Sequence, residues 1–358
     1  MRIMHVTEAW NGGISTYVNT LLRHQAAAGH QVSLVYSTNQ TNADFNEAEL
    51  QSLGINLHPY QSSRNPLHLL RISRNIAKII RSSGPDVVHL HSTFPGVYGR
   101  IFKIAPVVYC AHGWSFVQEE GILKRSIYWS IEKLLATRTH AIINISNHEQ
   151  QASRSLTSGI PCPVIYTGIA EPAKATEALQ LKLDDTRTNA LYIGRLDYKK
   201  GFDILEAILN KPAKGPVHLS VIGQPRREGQ GVDMKDSTNI TYLGWVDNTQ
   251  IDAYIQHFDV VIVPSRHEGF GLVVAEAMRN GKPAIVSRAG GLPELVTHGT
   301  DGFIFNQENA EAELTEIFAN TSKQKWAAMG KAARQTYQKK FTVDRFVKEV
   351  EAVYSSVL

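Results

Sequence analysis

Cysteine, long apolar runs and acidic residues in one long segment are what this chain of 358 residues lacks. No hydrophobic stretch approaches the roughly 20 residues that a membrane-spanning helix requires, so no transmembrane anchor is expected. The two cysteines, Cys110 and Cys162, both sit in apolar stretches and are too few for a disulfide framework or a thiolate metal cluster. Met1-Arg2-Ile3-Met4-His5-Val6 runs straight into a strand-like pattern, without a basic segment followed by an apolar one. No secretory signal is therefore expected, and the chain reads as cytoplasmic. No Gly-x-Gly-x-x-Gly occurs anywhere, which argues against a nicotinamide-dependent dehydrogenase. Between Glu49 and Asp86 there is not one carboxylate.

What is present is a globular composition, 43% hydrophobic and 20% charged, which excludes disordered, collagenous and coiled-coil classes. The length points to two domains. The net charge of +4 is unevenly spread: up to Gly168 there are fourteen Lys and Arg against nine Asp and Glu, and beyond it twenty-three against twenty-four. Arg64, Arg71, Arg74, Lys78 and Arg81 concentrate the excess, which implies an anionic surface or ligand; a nucleic-acid partner is not expected.

Short apolar runs alternate with helical patterns along the whole chain, as in parallel sheets with crossover helices. Strands are predicted at Ile3 to Thr7, Gln31 to Tyr36, Val87 to His91, Val107 to Cys110, Ala141 to Ile145 and Pro163 to Tyr166. A second set falls at Asn189 to Ile193, Val217 to Ile222, Ile240 to Leu243, Val260 to Val263, Ala284 to Val286 and Gly302 to Phe305. Helical patterns separate them, among them Ser15 to Gln25, Pro66 to Ser82, Ile204 to Leu209, Leu272 to Arg279 and Phe341 to Ser355. The fold class is thus α/β, one doubly wound parallel-sheet unit used twice, with domains at 1–168 and 169–340. Ligands of such sheets bind at the carboxyl ends of the strands.

Three loops carry chemistry. Asn11-Gly12-Gly13-Ile14-Ser15-Thr16 places a glycine pair at the start of the first helix, where unpaired N–H groups favour an anion; a plain tight turn is the other reading. Gly194-Arg195-Leu196-Asp197-Tyr198-Lys199-Lys200-Gly201 follows a strand and offers Arg195 as a planar fork and Lys200 as a point charge, against the alternative of a solvated basic loop. Lys199 and Lys200 are adjacent, so at most one is expected to face a site. The third loop is Pro264-Ser265-Arg266-His267-Glu268-Gly269-Phe270-Gly271, running into Leu272-Val273-Val274-Ala275-Glu276-Ala277-Met278. This helix reads as apolar nearly all round and hence buried, so Glu276 requires either a protein donor or ligand hydroxyls. Glu268 and Glu276 around a helix start suit a ligand with phosphates on one side and hydroxyls on the other, as a nucleotide sugar has. Capping by Glu268 and a core salt bridge for Glu276 is the structural alternative.

These segments, with Ala289-Gly290-Gly291-Leu292-Pro293-Glu294 and Tyr242-Leu243-Gly244-Trp245-Val246, resemble the family 4 glycosyltransferases over nearly the whole chain. The resemblance implies the GT-B architecture, two Rossmann-like domains facing a cleft, with a last helix at about 341–358 returning to the first domain. It implies transfer of a hexosyl unit from a nucleotide diphosphate sugar, with retention at the anomeric carbon and no metal or other cofactor. By position, Arg195 and Lys200 match the cations that stabilise the departing diphosphate. Glu276 matches the residue binding the nucleotide ribose, and Glu268 the carboxylate near the donor hexose hydroxyls. The Phe270, Gly271, Leu272 and Val273 backbone matches the segment holding sugar and phosphate. His112, in Ala111-His112-Gly113-Trp114, matches an active-site histidine that donates to the transferred sugar. Tyr166-Thr167-Gly168-Ile169-Ala170 departs from the family's usual Asn-Gly followed by Asp, which loosens the domain boundary.

A uridine diphosphate sugar is favoured over guanosine diphosphate mannose, and a glycan or lipid-linked acceptor is expected, as in surface polysaccharide synthesis. Arg71, Arg74, Lys78 and Arg81 recur at helical spacing and are candidates for peripheral contact with the anionic inner face of the plasma membrane, or else a plain solvated face. His89 and His91 point the same way along a strand and are read as core or cleft hydrogen-bonders in preference to metal ligands, since no carboxylate or cysteine nearby in the sequence completes a set and no Asp-x-Asp motif occurs. A non-hydrolysing sugar-nucleotide epimerase of the same architecture is the enzyme alternative. A two-domain solute-binding protein is the non-enzyme alternative, disfavoured by the missing export signal.

Overall fold

The computed structural model describes residues 1–358 except 11, 42–44, 119–120, 157–158, 173–180, 182, 212, 214 and 226–233. The chain divides into two compact units, Met1–Ile169 with Val343–Leu358, and Ala170–Thr342. The first contains β1 (Arg2–Thr7), β2 (Gln31–Ser37), β3 (Asn56–Tyr60), β4 (Val87–His91), β5 (Val107–Cys110) and β6 (Ala141–Ile143). The second contains β7 (Thr188–Ile193), β8 (Val217–Ile222), β9 (Ile240–Gly244), β10 (Val260–Val263), β11 (Ala284–Ser287) and β12 (Gly302–Phe305). The six-stranded sheets run β3-β2-β1-β4-β5-β6 and β12-β11-β10-β7-β8-β9. Counted from each unit's own first strand, both orders are the Rossmann order 3-2-1-4-5-6, and every pairing is parallel.

The central strands are apolar because helices cover both faces of a parallel sheet. Val260, Val261 and Ile262 are fully buried, as are Val87, Val88 and Leu90. Each such side chain contributes roughly 1.5–3 kcal/mol by leaving water. In the first unit Met4, Val6, Val88, Leu90 and Tyr109 pack with Ile72, Ile76 and Ile80 of the helix Pro66–Ser83. In the second, Ala190, Val260, Ile262 and Ile285 pack with Phe202, Leu205, Leu209, Trp326 and Met329 in one cluster. The C-terminal helix Val343–Val357 belongs to the first unit: the Phe346 ring meets Tyr17 edge-on at 4.8 Å, and Tyr354 Oη lies 2.7 Å from His89 Nδ1.

Three elements differ from expectation. Pro163 to Tyr166 is not a strand; it makes a single parallel bridge, Asn144 with Val164. Asn56–Tyr60 is a strand that the pattern hid, because an edge strand tolerates the polar Asn56 and His58 and the Pro59 that a central one excludes. The last helix starts at Val343, two residues after Phe341, whose side chain is fully buried. No helix among the described residues is long and apolar enough to cross a membrane.

One buried ion pair anchors the first unit. Arg100 Nη2 donates to Glu132 Oε2 at 2.7 Å with side-chain exposures of 0% and 4%, Tyr109 Oη donates to Glu132 Oε1 at 3.1 Å, and the guanidinium lies over the Tyr109 ring at 3.9 Å. Removing one member strands the other charge in the core, which costs roughly 3–5 kcal/mol. Glu132→Ala is therefore expected to lower the unfolding free energy by about 3 kcal/mol or more in a urea titration, whereas an exposed control such as Glu316→Ala stays within about 0.5 kcal/mol.

Candidate active site

In the second unit the direction of winding reverses between β7 and β10, which are paired neighbours. Loops leaving the carboxyl ends of two such strands diverge and open a crevice between them. The basic loop follows β7 and the Glu268 loop follows β10, so the two motifs that the sequence separates by some seventy residues emerge side by side. Lys200 Nζ donates to Glu268 Oε2 at 2.7 Å, and Ser265 Oγ lies within 3.4 Å of the same oxygen. An ammonium has three N–H donors, so this bond leaves two on Lys200 for another acceptor. Arg195 is 53% exposed and its Nε sits 2.9 Å from Asp197 Oδ2; its terminal nitrogens have no protein partner among the described residues. Asp197 also caps the short 3₁₀ turn Tyr198–Lys200, accepting from Lys200 N at 2.9 Å, which fixes where Lys200 points. Lys199 is exposed and its side chain makes no bond among the described residues.

Close backbone approaches hold these loops. Gly201 adopts φ +70°, and a Cβ there would lie 2.1 Å from Pro264 O, on the other loop. Gly290 has φ +55°, and a Cβ there would lie 1.9 Å from Glu268 O, the same carbonyl that accepts from Gly291 N at 3.0 Å. Any side chain at either position pushes one loop off the other. Arg266 adds a polar clamp that the sequence reading missed. Its N–H donates to Lys199 O at 2.8 Å, its guanidinium stacks on Tyr198 at 3.9 Å, and both terminal nitrogens reach Asp203. The only advance signal was the position of Arg266, two residues before Glu268.

The helix Leu272–Arg279 begins at Gly271, φ +104°, and is not buried all round as expected. Val274, Ala275, Ala277 and Met278 are buried, whereas Leu272, Val273 and Glu276 form a half-buried face. The Phe270 side chain turns inward against Phe341, ring centroids 5.8 Å apart. Glu276 has no donor among the described residues. Arg279, one turn on, is committed to Asp252 through Nε and Nη2 at 3.0 and 2.7 Å, so the core salt bridge that was the structural alternative for Glu276 does not form. Burial pushes the Glu276 carboxyl above the ordinary carboxylate range, Arg279 pulls it back, and Asp252 adds to the rise.

In the first unit, Gly12 and Gly13 are exposed and open the helix Gly12–Ala27, with Gly12 at φ +56°; Asn11 lies outside the described residues. His112 follows β5 in a left-handed conformation, φ +52°, and burial lowers its imidazole to about 3. Ser92, which follows the neighbouring β4, has φ 69° and ψ 171°, a region almost confined to glycine and costing roughly 1–3 kcal/mol. Two strained residues at adjacent strand ends mark this edge, and Ser92 carried no signal in the sequence. His89 and His91 are fully buried and hydrogen-bonded to Tyr354 and His112. Glu8, at the end of β1, is paired by Arg64 at 2.8 Å, whose guanidinium lies over Phe94. The cations Arg71, Arg74, Lys78 and Arg81 are all exposed on the helix Pro66–Ser83, and the Ile72, Ile76 and Ile80 face packs on its own sheet.

Two doubly wound units, each a parallel sheet in the Rossmann order, define a class of two-domain α/β proteins, and sequence comparison places the chain within it. The chain belongs to the family 4, or group 1, glycosyltransferases of GT-B fold: the Glycosyltransferase Family 4 model matches residues 11–171 and the Glycosyl transferases group 1 model residues 174–336. A 41.2 kDa protein in the cps region of Klebsiella pneumoniae is 27% identical, the match covering 99% of this chain and 100% of that one. Sucrose-phosphate synthase from Thermosynechococcus elongatus has the same fold, with TM-score 0.79 at 21% identity over 100% of this chain and 99% of that one. The Anabaena HepE protein in complex with UDP matches with TM-score 0.78 at 20% identity over 99% and 100%.

The pH response of Glu276 follows from its raised pKa. The folded protein holds this proton more tightly than the unfolded chain, so stability is lost as pH rises from the ordinary value of 4.5 through the raised one. Glu276→Gln removes that loss and is expected to raise the stability at pH 7 by on the order of 1 kcal/mol, with the gain vanishing below pH 4.5 in thermal melts. A gain that persists unchanged into acid contradicts this origin.

Proposed function

We propose that this glycosyltransferase moves a hexosyl unit from a uridine diphosphate sugar to an acceptor hydroxyl, with retention at the anomeric carbon and without a metal ion. The observation that carries the reading is the half-buried carboxylate of Glu276, which has no protein donor among the described residues, on the helix that follows the loop of the Lys200–Glu268 pair. A carboxylate so placed is satisfied by ligand hydroxyls, and a ribose supplies two. The open terminal nitrogens of Arg195 and the two open N–H groups of Lys200 then meet the diphosphate, where negative charge grows as the glycosidic bond breaks. Glu268, already fixed by Lys200, accepts from hexose hydroxyls, and the N–H groups of Gly271 to Val273 at the helix start face the sugar and phosphate. In the first unit, His112 at the strand ends is the candidate partner of a sugar hydroxyl, and Gly12 and Gly13 let an acceptor or phosphate approach the backbone. The choice of uridine over guanosine rests on the HepE structures, which hold UDP and UDP-glucose.

The acceptor is proposed to be a glycan or lipid-linked intermediate presented at an anionic membrane. The exposed face of Pro66–Ser83 carries Leu67 and Leu70, 85% and 51% exposed, in line with Arg71, Arg74, Lys78 and Arg81. Apolar groups followed by cations at helical spacing suit insertion beside acidic headgroups, each cation contributing roughly 1 kcal/mol.

Two experiments test these statements. Arg195→Ala and Lys200→Ala are each expected to lower kcat about a hundredfold, roughly 3 kcal/mol of transition-state stabilisation, with a smaller loss of UDP affinity by calorimetry. A kcat within about threefold of the parent removes the residue from the reaction. Changing Arg71, Arg74, Lys78 and Arg81 together to Gln is expected to abolish salt-sensitive sedimentation with phosphatidylserine vesicles while leaving the melting temperature and UDP affinity unchanged. Vesicle binding that survives the fourfold change assigns this helix to a plain solvated face.

A further inference from the structure

Beside β1 the first unit buries more imidazole than packing requires. His5 on β1 pairs in register with His89 on β4, and His91 lies two residues on, on the same face. All three are fully buried, as is Gln25 of the helix Gly12–Ala27, while His112 reaches partial exposure at the strand ends. Three contacts join them into one line: Gln25 Oε1 to His5 Nε2 at 2.8 Å, His5 Nδ1 to His91 Nε2 at 2.9 Å, and His91 Nδ1 to His112 Nε2 at 3.2 Å.

Each imidazole is neutral at physiological pH. Burial lowers His5 to about 4 and His112 to about 3, and it holds His91 well below its ordinary range, with His89, His5 and His112 adding to that fall. A neutral imidazole has one donor and one acceptor nitrogen, and an amide oxygen only accepts. The direction of every bond in the line then follows from its buried end. Gln25 Oε1 accepts, so His5 carries its proton on Nε2 and accepts at Nδ1. His91 must donate from Nε2 and accept at Nδ1. His112 must donate from Nε2, which leaves Nδ1 as its one open nitrogen; no other bond to this ring forms among the described residues.

We propose that Gln25, His5 and His91 are positioning residues that lock His112 as its Nε2–H tautomer, so that its ring accepts a hydrogen bond from a sugar hydroxyl at Nδ1 instead of donating one. This reverses the side-chain role that the family resemblance implied for His112, and its bearing on transfer rests on the reading of His112 given above. His5, His89 and His91 each offer one ring nitrogen within 4.8 Å of the others, a spacing that a metal ion can bridge. The relay fits better because His5 Nδ1 and His91 Nε2 are already joined at hydrogen-bond distance. In addition, the cluster holds no carboxylate or thiolate to offset a divalent charge in a dry core.

The test is a long-range proton–nitrogen NMR spectrum of the ¹⁵N-histidine-labelled full chain, with His112 assigned by its loss in His112→Ala. The expected spectrum has a protonated Nε2 and a lone-pair Nδ1 at His112. Gln25→Met, close in shape but without the oxygen, is expected to give mixed tautomers at His112 and to lower kcat roughly tenfold or more, with UDP affinity unchanged. His91→Asn offers an amide oxygen in place of Nδ1 and is expected to keep the tautomer and most of kcat, whereas His91→Leu loses both. A proton on Nδ1 of His112 in the parent protein overturns the proposal. So does a stoichiometric metal by mass spectrometry, or a Gln25→Met protein with unchanged spectrum and kcat. Unimpaired transfer by His112→Ala would instead remove His112 from the reaction, and the spectrum would still decide the tautomer.

Discussion

Everything at the candidate site depends on where a parallel sheet changes its direction of winding. Crossover connections are right-handed, so a chain that winds outward from β7 in one direction and from β10 in the other must leave the sheet on opposite faces. The loops after those two strands cannot both fold back over the same helix layer. They stay open above the strand ends, and the residues on them face each other. Lys200 and Glu268 meet at 2.7 Å for that reason, although neither lies near the other in sequence. Gly201 against Pro264 O, Gly290 against Glu268 O and Arg266 against Lys199 O keep the opening at a fixed width. Loops braced this way need little rearrangement when charge develops beside them, which is where electrostatic preorganisation has its largest effect.

The two units manage polar groups in opposite ways. The second leaves charges incompletely satisfied at its strand ends: the terminal nitrogens of Arg195 open, Lys200 with spare donors, Glu276 with none to accept from. Such groups lower stability and await a ligand that completes them. At the strand ends of the first unit the histidine cluster carries no charge. Its four imidazoles are held neutral by burial, each bonded to another or to Tyr354 or Gln25, and the strain is placed in the backbone at Ser92 and His112.

Central strands were legible from their apolar runs. Val260–Val263, Val217–Ile222 and Val107–Cys110 have the predicted limits because burial on two sides favours apolar residues. Edges were legible in part. Gly302–Phe305 has the predicted limits, whereas Asn56–Tyr60, which pairs on one side alone and carries Pro59, was hidden, and Pro163 to Tyr166 has strand composition but only a bridge to Asn144. Composition also overstated the burial of Leu272–Arg279, whose valine and leucine at the first turn sit half-buried beside Glu276. Residue types at special positions were the clearest chemical signals: a lysine before Gly201, a glutamate before Gly269-Phe270-Gly271, glycines at a helix start.

The sequence by itself determined the alternation of strand and helix, the repeat of one doubly wound unit and the charged loops at strand ends, because periodicity and burial act over a few neighbouring residues. Tertiary structure alone decided which of those charges touch. That Lys200 pairs with Glu268, that Arg279 goes to Asp252 and leaves Glu276 without a donor, and that His5, twenty residues from Gln25 and eighty-six from His91, joins both in one line all follow from strand order and register. Those are set by the packing of whole elements, and hydrogen bonds between side chains from different strands have no trace in local spacing.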